Sequence, residues 1–238
     1  MHRFAPQYFV LILILSIGVI YSLKARKLTP AGSVTGVICG FLIFAGSGFT
    51  GLAMMTCFFI LGTAATSWGR AKKTITVPAE RNGRTAGQVL ANSGVATICA
   101  VCSILFKNYE SLFSLIIAGS FAAAAADTLS SELGIVYGKR FVNILTFKKD
   151  EKGLDGVISL EGTVFGIIGA ALIATVYLFH DRNLSTFFFL TIAGTVGTLV
   201  DSLLGAAFER KGLIKNDGVN FFNTLSGALT ALILYALQ

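Results

Sequence analysis

Residues 112–134 read LFSLIIAGSFAAAAADTLSSELG, and this stretch decides the class of fold. Its first fifteen residues carry no charge, and a carboxylate follows at Asp127. The rest of the chain has the same character, because 54% of the 238 residues are hydrophobic and 13% are charged, whereas charged residues make up about a quarter of a soluble domain. This composition predicts an integral membrane protein. It excludes a disordered chain, a basic nucleic-acid-binding domain and a disulfide scaffold.

Seven further apolar stretches give eight candidate membrane spans in total. They cover residues 8–23, 31–45, 49–68, 91–106, 112–126, 162–179, 186–208 and 219–237. Because backbone polar groups cannot stay unpaired in lipid and no strand-like alternation occurs, the spans are predicted to be helices. The predicted fold is an all-α, polytopic integral membrane protein with about eight transmembrane helices, which form a single membrane domain over residues 1–238.

The basic residues divide unevenly between the two sides of the predicted spans. The loops after the first, third, fifth and seventh spans hold sixteen Lys and Arg residues, and the other side holds three, which are Arg3, Lys107 and Arg182. Cytoplasmic loops carry the excess of Lys and Arg in membrane proteins. The chain is therefore predicted to be a multi-pass protein of the cell (inner) membrane, with both termini outside and the basic loops in the cytoplasm.

Histidine cannot take part in a reaction on the side of the membrane that carries the basic loops. His2 and His180 are the two histidines, and both map to the outer side, so a cytoplasmic reaction would run without a histidine base or ligand. Residues 46–51 match the GxGxxG pattern. They lie between two predicted spans with no preceding strand, which indicates a tight helix hairpin and not a dinucleotide site.

Polar residues collect where the spans meet the basic loops. They are Arg84, Gln88, Asn92, Asp127, Ser131, Glu132, Ser159, Glu161, Asp201, Asp217, Asn220 and Asn223. A carboxylate at a helix centre, such as Asp201, costs about 2.5 to 3.5 kcal/mol, so we expect it to face a partner, a cation or water. One alternative is a packing face, since Gly197 and Gly205 flank Asp201 by one turn and let a helix approach. Four carboxylates at one depth favour a cation site, because like charges need cations to coexist.

Oxygen ligands without His or Cys favour magnesium or another hard cation, which is usually bound by one or two carboxylates together with substrate phosphates. Basic residues border these acids: Lys152 precedes the glycine-containing turn at 153–156, and Arg84 precedes the fourth span. The start of the sixth span adds free backbone amides at a helix N-terminus. These features predict a metal-phosphate site. For Lys148 and Lys149, attraction to anionic lipid headgroups is an equal alternative.

A weak internal repeat relates residues 112–180 to residues 186–238. The string DTL at 127–129 matches DSL at 201–203, and DGV at 155–157 occurs again at 217–219. Because both hairpins run in the same direction, the repeat would be parallel, with its polar ends meeting on the cytoplasmic face.

Five strings together carry a resemblance to a known family. They are GRTAGQVLAN at 83–92, DTLSSELG at 127–134, DGVISLEGT at 155–163, GTVGTLVDSLLGA at 194–206 and NDGVNFFNT at 216–224. From about residue 84 to the C-terminus, and more loosely over 28–40, the chain resembles the integral-membrane family that contains plant phytyl-phosphate kinase and animal transmembrane protein nineteen. The resemblance implies a kinase that transfers the terminal phosphoryl group of a nucleoside triphosphate, CTP or another, to an isoprenoid monophosphate. Together with the metal-phosphate site predicted above, this gives a magnesium-dependent reaction on the cytoplasmic face.

That reaction suggests a role for each polar residue. Metal binding is assigned to Asp127, Glu132, Asp201 and Asp217; catalysis to Asp127, Glu132, Glu161 and Asp201; and substrate or phosphate binding to Arg84, Gln88, Asn92, Ser131, Lys152, Ser159, Asn220 and Asn223. The expected partners are the nucleoside triphosphate, the isoprenoid monophosphate and membrane lipids, with no nucleic acid. A strong base is not needed, because phosphoryl transfer depends mostly on positioning and charge neutralisation and the acceptor is already anionic.

Two other classes of function fit the same residues. A nucleotidyltransferase that makes a nucleotide-activated lipid needs the same metals and charges, and it differs in which phosphorus is attacked. A transporter with Asp127 and Asp201 as its cation or proton site fits intramembrane acids and repeated hairpins. Two features argue against a transporter. The acids lie near one face of the membrane, and the outer halves of the predicted spans offer almost no polar residues that could complete a pathway.

Overall fold

The computed structural model describes residues 6–69, 73 and 83–237, and these residues are mostly helical. Within them, seven helical segments are long and apolar enough to cross a membrane. They are α1 (Pro6–Lys24), α2 (Pro30–Ser67), α3 (Ala86–Leu105), α4 (Glu110–Tyr137), α5 (Leu160–Asp181), α6 (Leu184–Ala207) and α7 (Asn216–Ala236). Short 3-10 turns precede α4 at Lys107–Tyr109 and follow α6 at Glu209–Lys211. The predicted class, an all-α polytopic membrane protein, is confirmed.

Segment α2 is a hairpin of two helices and not one straight rod. Gly48 has φ +59° and ψ −154°, a backbone conformation that only glycine adopts without strain, and it separates residues 30–47 from residues 49–67. A Cβ atom placed on Gly40 would lie 3.8 Å from a methyl carbon of Leu52, whereas a straight helix would separate these residues by about 18 Å. The described part of the chain therefore contains eight crossings, as the apolar stretches predict, and the GxGxxG string forms the turn of the hairpin.

Helix α4 forms the centre of the bundle. It packs against α5, α6 and α7 on one side and against α2 and α3 on the other. The side chains of Ile117, Phe121 and the alanines at 122–126 are fully buried. A Cβ atom on Gly119 would lie 2.7 Å from the carbonyl oxygen of Gly227, and one on Gly227 would lie 2.6 Å from that of Gly119. The backbones of α4 and α7 are thus in direct contact, which small residues permit in membrane helix interfaces.

Helix α1 is peripheral and packs mainly against α2. Of its residues, Leu11 and Ser22 are buried. Leu11 joins Phe44 and Leu52 in a small apolar cluster, which fastens α1 to both arms of the hairpin. The remaining surface of α1 is largely apolar and exposed, as expected for a helix that faces lipid.

Loops 25–29, 83–85, 138–159 and 208–215 lie at one end of the bundle, which we call the loop face. The Thr29 N–H donates to the carbonyl of Arg84 at 3.0 Å, which joins the first two of these loops. The Asp150 carboxylate lies 2.8 Å from Arg210, which joins the other two. Loop 138–159 contains a short antiparallel pair, β1 (Val142–Asn143) with β2 (Val157–Ile158). The polar residues singled out above lie at or near this face.

Arg210 fastens loop 138–159 to the loop that follows α6. Its guanidinium pairs with Asp150 and also donates to the carbonyl oxygen of Asp155. The backbone N–H of Glu151, followed by the side chains of Asn143 and Arg210, holds the pKa of Asp150 below its ordinary value. The turn at 153–156 lies against α6. The two loops therefore form one cover over the loop-face end of α6.

Several helices extend further than the apolar stretches that predicted them. The fifth stretch stops at residue 126, but α4 continues to Tyr137, so Asp127, Ser131 and Glu132 lie on a helix and not beyond its end. Helix α3 starts at Ala86 instead of residue 91, and α7 starts at Asn216 instead of residue 219. Hydropathy follows the part of a helix that avoids charge, whereas backbone hydrogen bonds and caps decide where the helix ends.

Candidate functional site

Two carboxylates from neighbouring helices meet inside the bundle near the loop face. Asp127 on α4 and Asp201 on α6 share a side-chain hydrogen bond, and we call them the acid pair. Small residues allow this approach: a Cβ atom on Gly197, one turn before Asp201, would lie 2.5 Å from the Cβ of Ala123, one turn before Asp127. Two carboxylates at hydrogen-bond distance repel each other when both are ionised. They therefore either share a proton or bind a cation that neutralises their charge. The acid pair therefore binds either a proton or a cation.

Further carboxylates surround the acid pair. Glu132 and Glu209 act electrostatically on Asp127, while Glu209 and Asp155 act on Asp201. Such a cluster creates a negative potential that attracts cations. Within the described residues, however, no three His, Cys, Asp or Glu side chains stand close enough to hold a metal ion by themselves. Glu209 was not singled out from the sequence, where it is one acid beside the basic Arg210 and Lys211.

Asn223 lies one helical turn deeper in the bundle than the acid pair. Its Nδ2 donates to the carbonyl oxygen of Ala123 at 3.4 Å, and its Oδ1 would lie 2.7 Å from a Cβ atom on Gly197. The residue is fully buried, and Oδ1 has no hydrogen-bond partner among the described residues. Because a buried polar atom normally has a partner, the Oδ1 of Asn223 is an acceptor that a donor or a cation would satisfy.

The donor atoms of the acid pair fit a hard cation. Magnesium prefers oxygen ligands, and it is usually held by one or two carboxylates together with waters and substrate phosphates. Asp127 and Asp201 supply two carboxylates, and the unpartnered Oδ1 of Asn223 lies one turn away. The four carboxylates assigned to the metal do not form one cluster, because Glu132 and Asp217 have other neighbours.

Glu132 is engaged by Lys73, a residue that the sequence did not single out. The Nζ of Lys73 lies 2.6 Å from Glu132 Oε2, and it also donates to the carbonyl oxygen of Ala65 at 2.6 Å. The Lys73 side chain is only 10% exposed. In the sequence Lys73 is one of several basic residues in the loop after the third span, so its burial against α2 and α4 could not be read from composition.

Replacing Lys73 with Met is expected to lower the free energy of unfolding by about 3 kcal/mol, because Glu132 then loses its counter-charge in a partly buried position. Thermal unfolding of the purified protein in detergent measures the loss. The variant Lys24→Met changes an exposed lysine and should leave the unfolding temperature unchanged. Adding Glu132→Leu to Lys73→Met should recover most of the stability, and a double variant as unstable as the single one would contradict this account.

Asp217 lies at the start of α3 and not beside the acid pair. Its Oδ2 would be 2.5 Å from a Cβ atom on Gly87, in the first turn of that helix. A helix N-terminus favours a nearby carboxylate through its dipole. Asp217 therefore joins the start of α7 to the start of α3. Asn220, one turn further along α7, donates from Nδ2 to the Oδ1 of Asn216 at 2.8 Å.

Arg84, Gln88 and Asn92 come together along one cavity. The guanidinium of Arg84 lies over the ring of Phe58, 5.8 Å from its centroid. Gln88 forms a capping box with Thr85 at the start of α3, and Asn92 Nδ2 donates to the carbonyl oxygen of Gln88 at 2.9 Å. The three side chains line a largely apolar cavity of 140 Å³ between α1, α2 and α3. Three of the residues assigned to phosphate binding thus share one location.

Ser159 and Glu161 belong to the start of α5. Ser159 is the N-cap of that helix: it is buried, and its Oγ accepts from the Gly162 N–H at 3.1 Å. Glu161 Oε2 accepts from the backbone N–H of Lys139 at 3.3 Å. The Ser159 hydroxyl oxygen is therefore already used in capping the helix, and Glu161 is held against the loop that follows α4.

Ser131 and Lys152 occupy separate positions on the loop face. Ser131 is exposed, and its Oγ donates to the carbonyl oxygen of Asp127 at 3.0 Å, one turn back along α4. Lys152 is partly buried in loop 138–159, two residues after Asp150. The described hydrogen bonds of Ser131, Ser159 and Glu161 do not reach a carboxylate of the acid pair.

Comparison with known proteins gives one family and several relatives. Residues 12–228 match the family described as integral membrane protein DUF92. The chain is 36% identical over 229 residues to an uncharacterized membrane protein of Methanocaldococcus jannaschii, with 96% of this chain and 94% of that protein covered. It is 31% identical over 221 residues to protein VTE6, chloroplastic, of Arabidopsis thaliana, with 89% of this chain and 66% of that protein covered. An uncharacterized membrane protein of Synechocystis sp. is 31% identical over 215 residues, with 87% and 82% covered. No solved structure matches the chain.

Proposed function

This chain belongs to the integral membrane protein DUF92 family, and from that premise we propose that it is a membrane-embedded prenyl-phosphate kinase. In this proposal, it transfers the terminal phosphoryl group of a nucleoside triphosphate, CTP or another, to an isoprenoid monophosphate. The family resemblance to phytyl-phosphate kinase supplies the reaction. The observation that carries the proposal is the acid pair, since two hydrogen-bonded carboxylates among further acids suit a reaction that needs a hard cation to neutralise phosphates.

The acid pair would serve the nucleotide end of the reaction. A bound magnesium ion would neutralise charge on the phosphate oxygens, and Asp127 and Asp201 are the residues that would hold it. Asn223 has an unpartnered oxygen one turn away, which can orient a ligand water or a phosphate-bound water. Glu209 and Asp155 add negative charge near Asp201, which would help to attract the cation.

Arg84 would serve the acceptor end of the reaction, because a guanidinium binds phosphate by charge and by paired N–H donors. A chain of contacts through α2 joins it to the acid pair. The Arg84 guanidinium lies against Gly62, and Ala65, one turn further along, accepts from Lys73. Lys73 in turn pairs with Glu132, which acts electrostatically on Asp127. This relay of contacts would connect the two ends of the proposed reaction.

We assign the loop face to the cytoplasm, with both termini on the outer side. The support is the distribution of basic residues, sixteen of which fall in the loops after the first, third, fifth and seventh spans. Nucleoside triphosphates are then available on the side of the membrane nearest to the acid pair. The isoprenoid monophosphate reaches the same face from the surrounding bilayer, since its tail is confined to lipid.

The test is a direct assay with the full chain purified in detergent. The protein is incubated with magnesium, each of the four nucleoside triphosphates and a panel of prenyl monophosphates, and the masses of the products are measured. We expect a prenyl diphosphate and a nucleoside diphosphate, with EDTA abolishing their formation and added magnesium restoring it. Pyrophosphate and a nucleotide-linked lipid would instead identify a nucleotidyltransferase. No product from any pair, together with ion flux in vesicles, would replace the kinase with a transporter.

A further inference from the structure

The cavity between α1, α2 and α3 is lined mainly by apolar side chains from all three helices. Its wall includes Ile14, Leu15, Val19, Val37, Met55 and Phe59. At 140 Å³ the cavity is close in size to an engineered apolar cavity of about 150 Å³ that binds benzene. Protein interiors are otherwise packed to crystal-like density. An apolar cavity of this size can therefore bind an apolar ligand.

Two glycines keep this cavity open. A Cβ atom on Gly18 of α1 would meet no atom within 4 Å, and one on Gly36 of α2 would meet only a methyl carbon of Leu28 at 4.0 Å. The space next to both glycines is therefore left unfilled by the protein. Since α1 is the peripheral wall and packs mainly against α2, the cavity lies at the side of the bundle that faces lipid.

The cavity has one polar end, which lies at the loop face. Arg84, Gln88 and Asn92 reach it from the start of α3, and Ser33 reaches it from the first turn of α2. The Oγ of Ser33 is buried and has no hydrogen-bond partner within the described part of the chain. Because the unpartnered hydroxyl of Ser33 and the guanidinium of Arg84 line the same cavity, an anionic group is the partner that could bind both. The occupant that fits is therefore an anionic group attached to an apolar chain, with the first part of that chain filling the cavity.

We propose that this cavity binds the isoprenoid chain of the acceptor lipid and that Arg84 and Ser33 hold its monophosphate. The identity of the lipid rests on the proposed function, whereas the shape and polarity of the site come from the cavity itself. In this arrangement the chain lies between α1 and the α2 hairpin, at the depth of the bilayer, and the phosphate emerges at the loop face. The cavity holds the part of the chain next to the phosphate, and the rest of the chain continues into the surrounding lipid.

Photocrosslinking tests this site without any need for catalysis. A geranylgeranyl monophosphate with a diazirine close to its phosphate end is added to the purified full-length protein without nucleotide. The sample is irradiated, and the crosslinked peptides are identified by mass spectrometry. We expect labelled peptides from α1, α2 and α3. We also expect Gly18→Leu and Gly36→Leu, which fill the cavity, to reduce labelling by about tenfold or more, as the loss of a methylene-sized space does in other apolar pockets.

The matched control is Gly94→Leu on α3. A Cβ atom on Gly94 also meets no atom within 4 Å, but Gly94 does not line the cavity, so its labelling should equal that of the unmodified protein. Labelling mapped to α4, α5, α6 or α7, or unchanged labelling in both cavity-filling variants, overturns this proposal and leaves the kinase assay to stand by its own products. Labelling in the cavity without prenyl diphosphate formation supports the site and overturns the kinase.

Discussion

Replacing Asp201 with Asn lowers prenyl-phosphate phosphorylation by at least about 100-fold in the proposed mechanism, and Asp127→Asn does the same. Asn has nearly the same shape as Asp and can still hydrogen-bond across the acid pair, so the packing of α4 against α6 is kept. The substitution removes one negative charge from a pair that would hold a cation against two phosphate groups. The loss should therefore appear in kcat with nearly unchanged thermal stability, and both are measured on the same purified protein.

The control for this experiment is Asp181→Asn. Asp181 is an exposed acid at the end of α5 away from the loop face, so its removal should leave the rate unchanged. Raising the magnesium concentration should restore part of the activity of Asp127→Asn or Asp201→Asn, because the weakened site still has one carboxylate. Full activity in both variants at low magnesium would show that the acid pair is not the metal site of the kinase.

The largest loss of stability is expected from Gly119→Val. The new Cβ atom would lie 2.7 Å from the carbonyl oxygen of Gly227 and 2.6 Å from the Cβ of Ala231, and neither atom belongs to a flexible side chain. Helices α4 and α7 must then separate, which we expect to cost about 3 kcal/mol or more. Thermal unfolding in detergent gives the loss, with Gly94→Val as the control because that position is open. Equal unfolding temperatures for the two variants would mean that α4 and α7 are not held in backbone contact.

The crossings of the membrane could be predicted from the sequence because burial in lipid imposes one rule on every residue. Apolar stretches of sufficient length must be helical, and the glycine-rich string at 46–51 could only be a turn between two of them. The ends of the helices could not be predicted in the same way. Asp127 ends an apolar stretch, but α4 continues to Tyr137, and Asp201 on α6 interacts with the Asp127 carboxylate.

The members of the candidate site could be predicted by residue type but not by grouping. Asp127 and Asp201, which the weak repeat makes equivalent, are the two carboxylates that meet. Asp217 has the same chemistry, yet the start of α7 directs it to Gly87 on α3. Glu132 is paired with Lys73, whose burial depends on contacts between segments that are distant in sequence. Such pairings depend on how the helices pack. Local sequence patterns do not show which distant segments come together. The repeat itself stays a prediction.

The two carboxylates of the acid pair are synthesised at different times. Asp127 enters the membrane first, and Asp201 follows it by 74 residues. At about 5–20 residues per second, roughly 4 to 15 s pass before the second carboxylate of the acid pair is made. During that interval the newly made α4 has neither α6 nor α7 beside it. The insertion machinery or polar lipid headgroups must then accommodate the carboxylate of Asp127. A ribosome that stalls between the two aspartates therefore leaves Asp127 in the bilayer without its partner carboxylate.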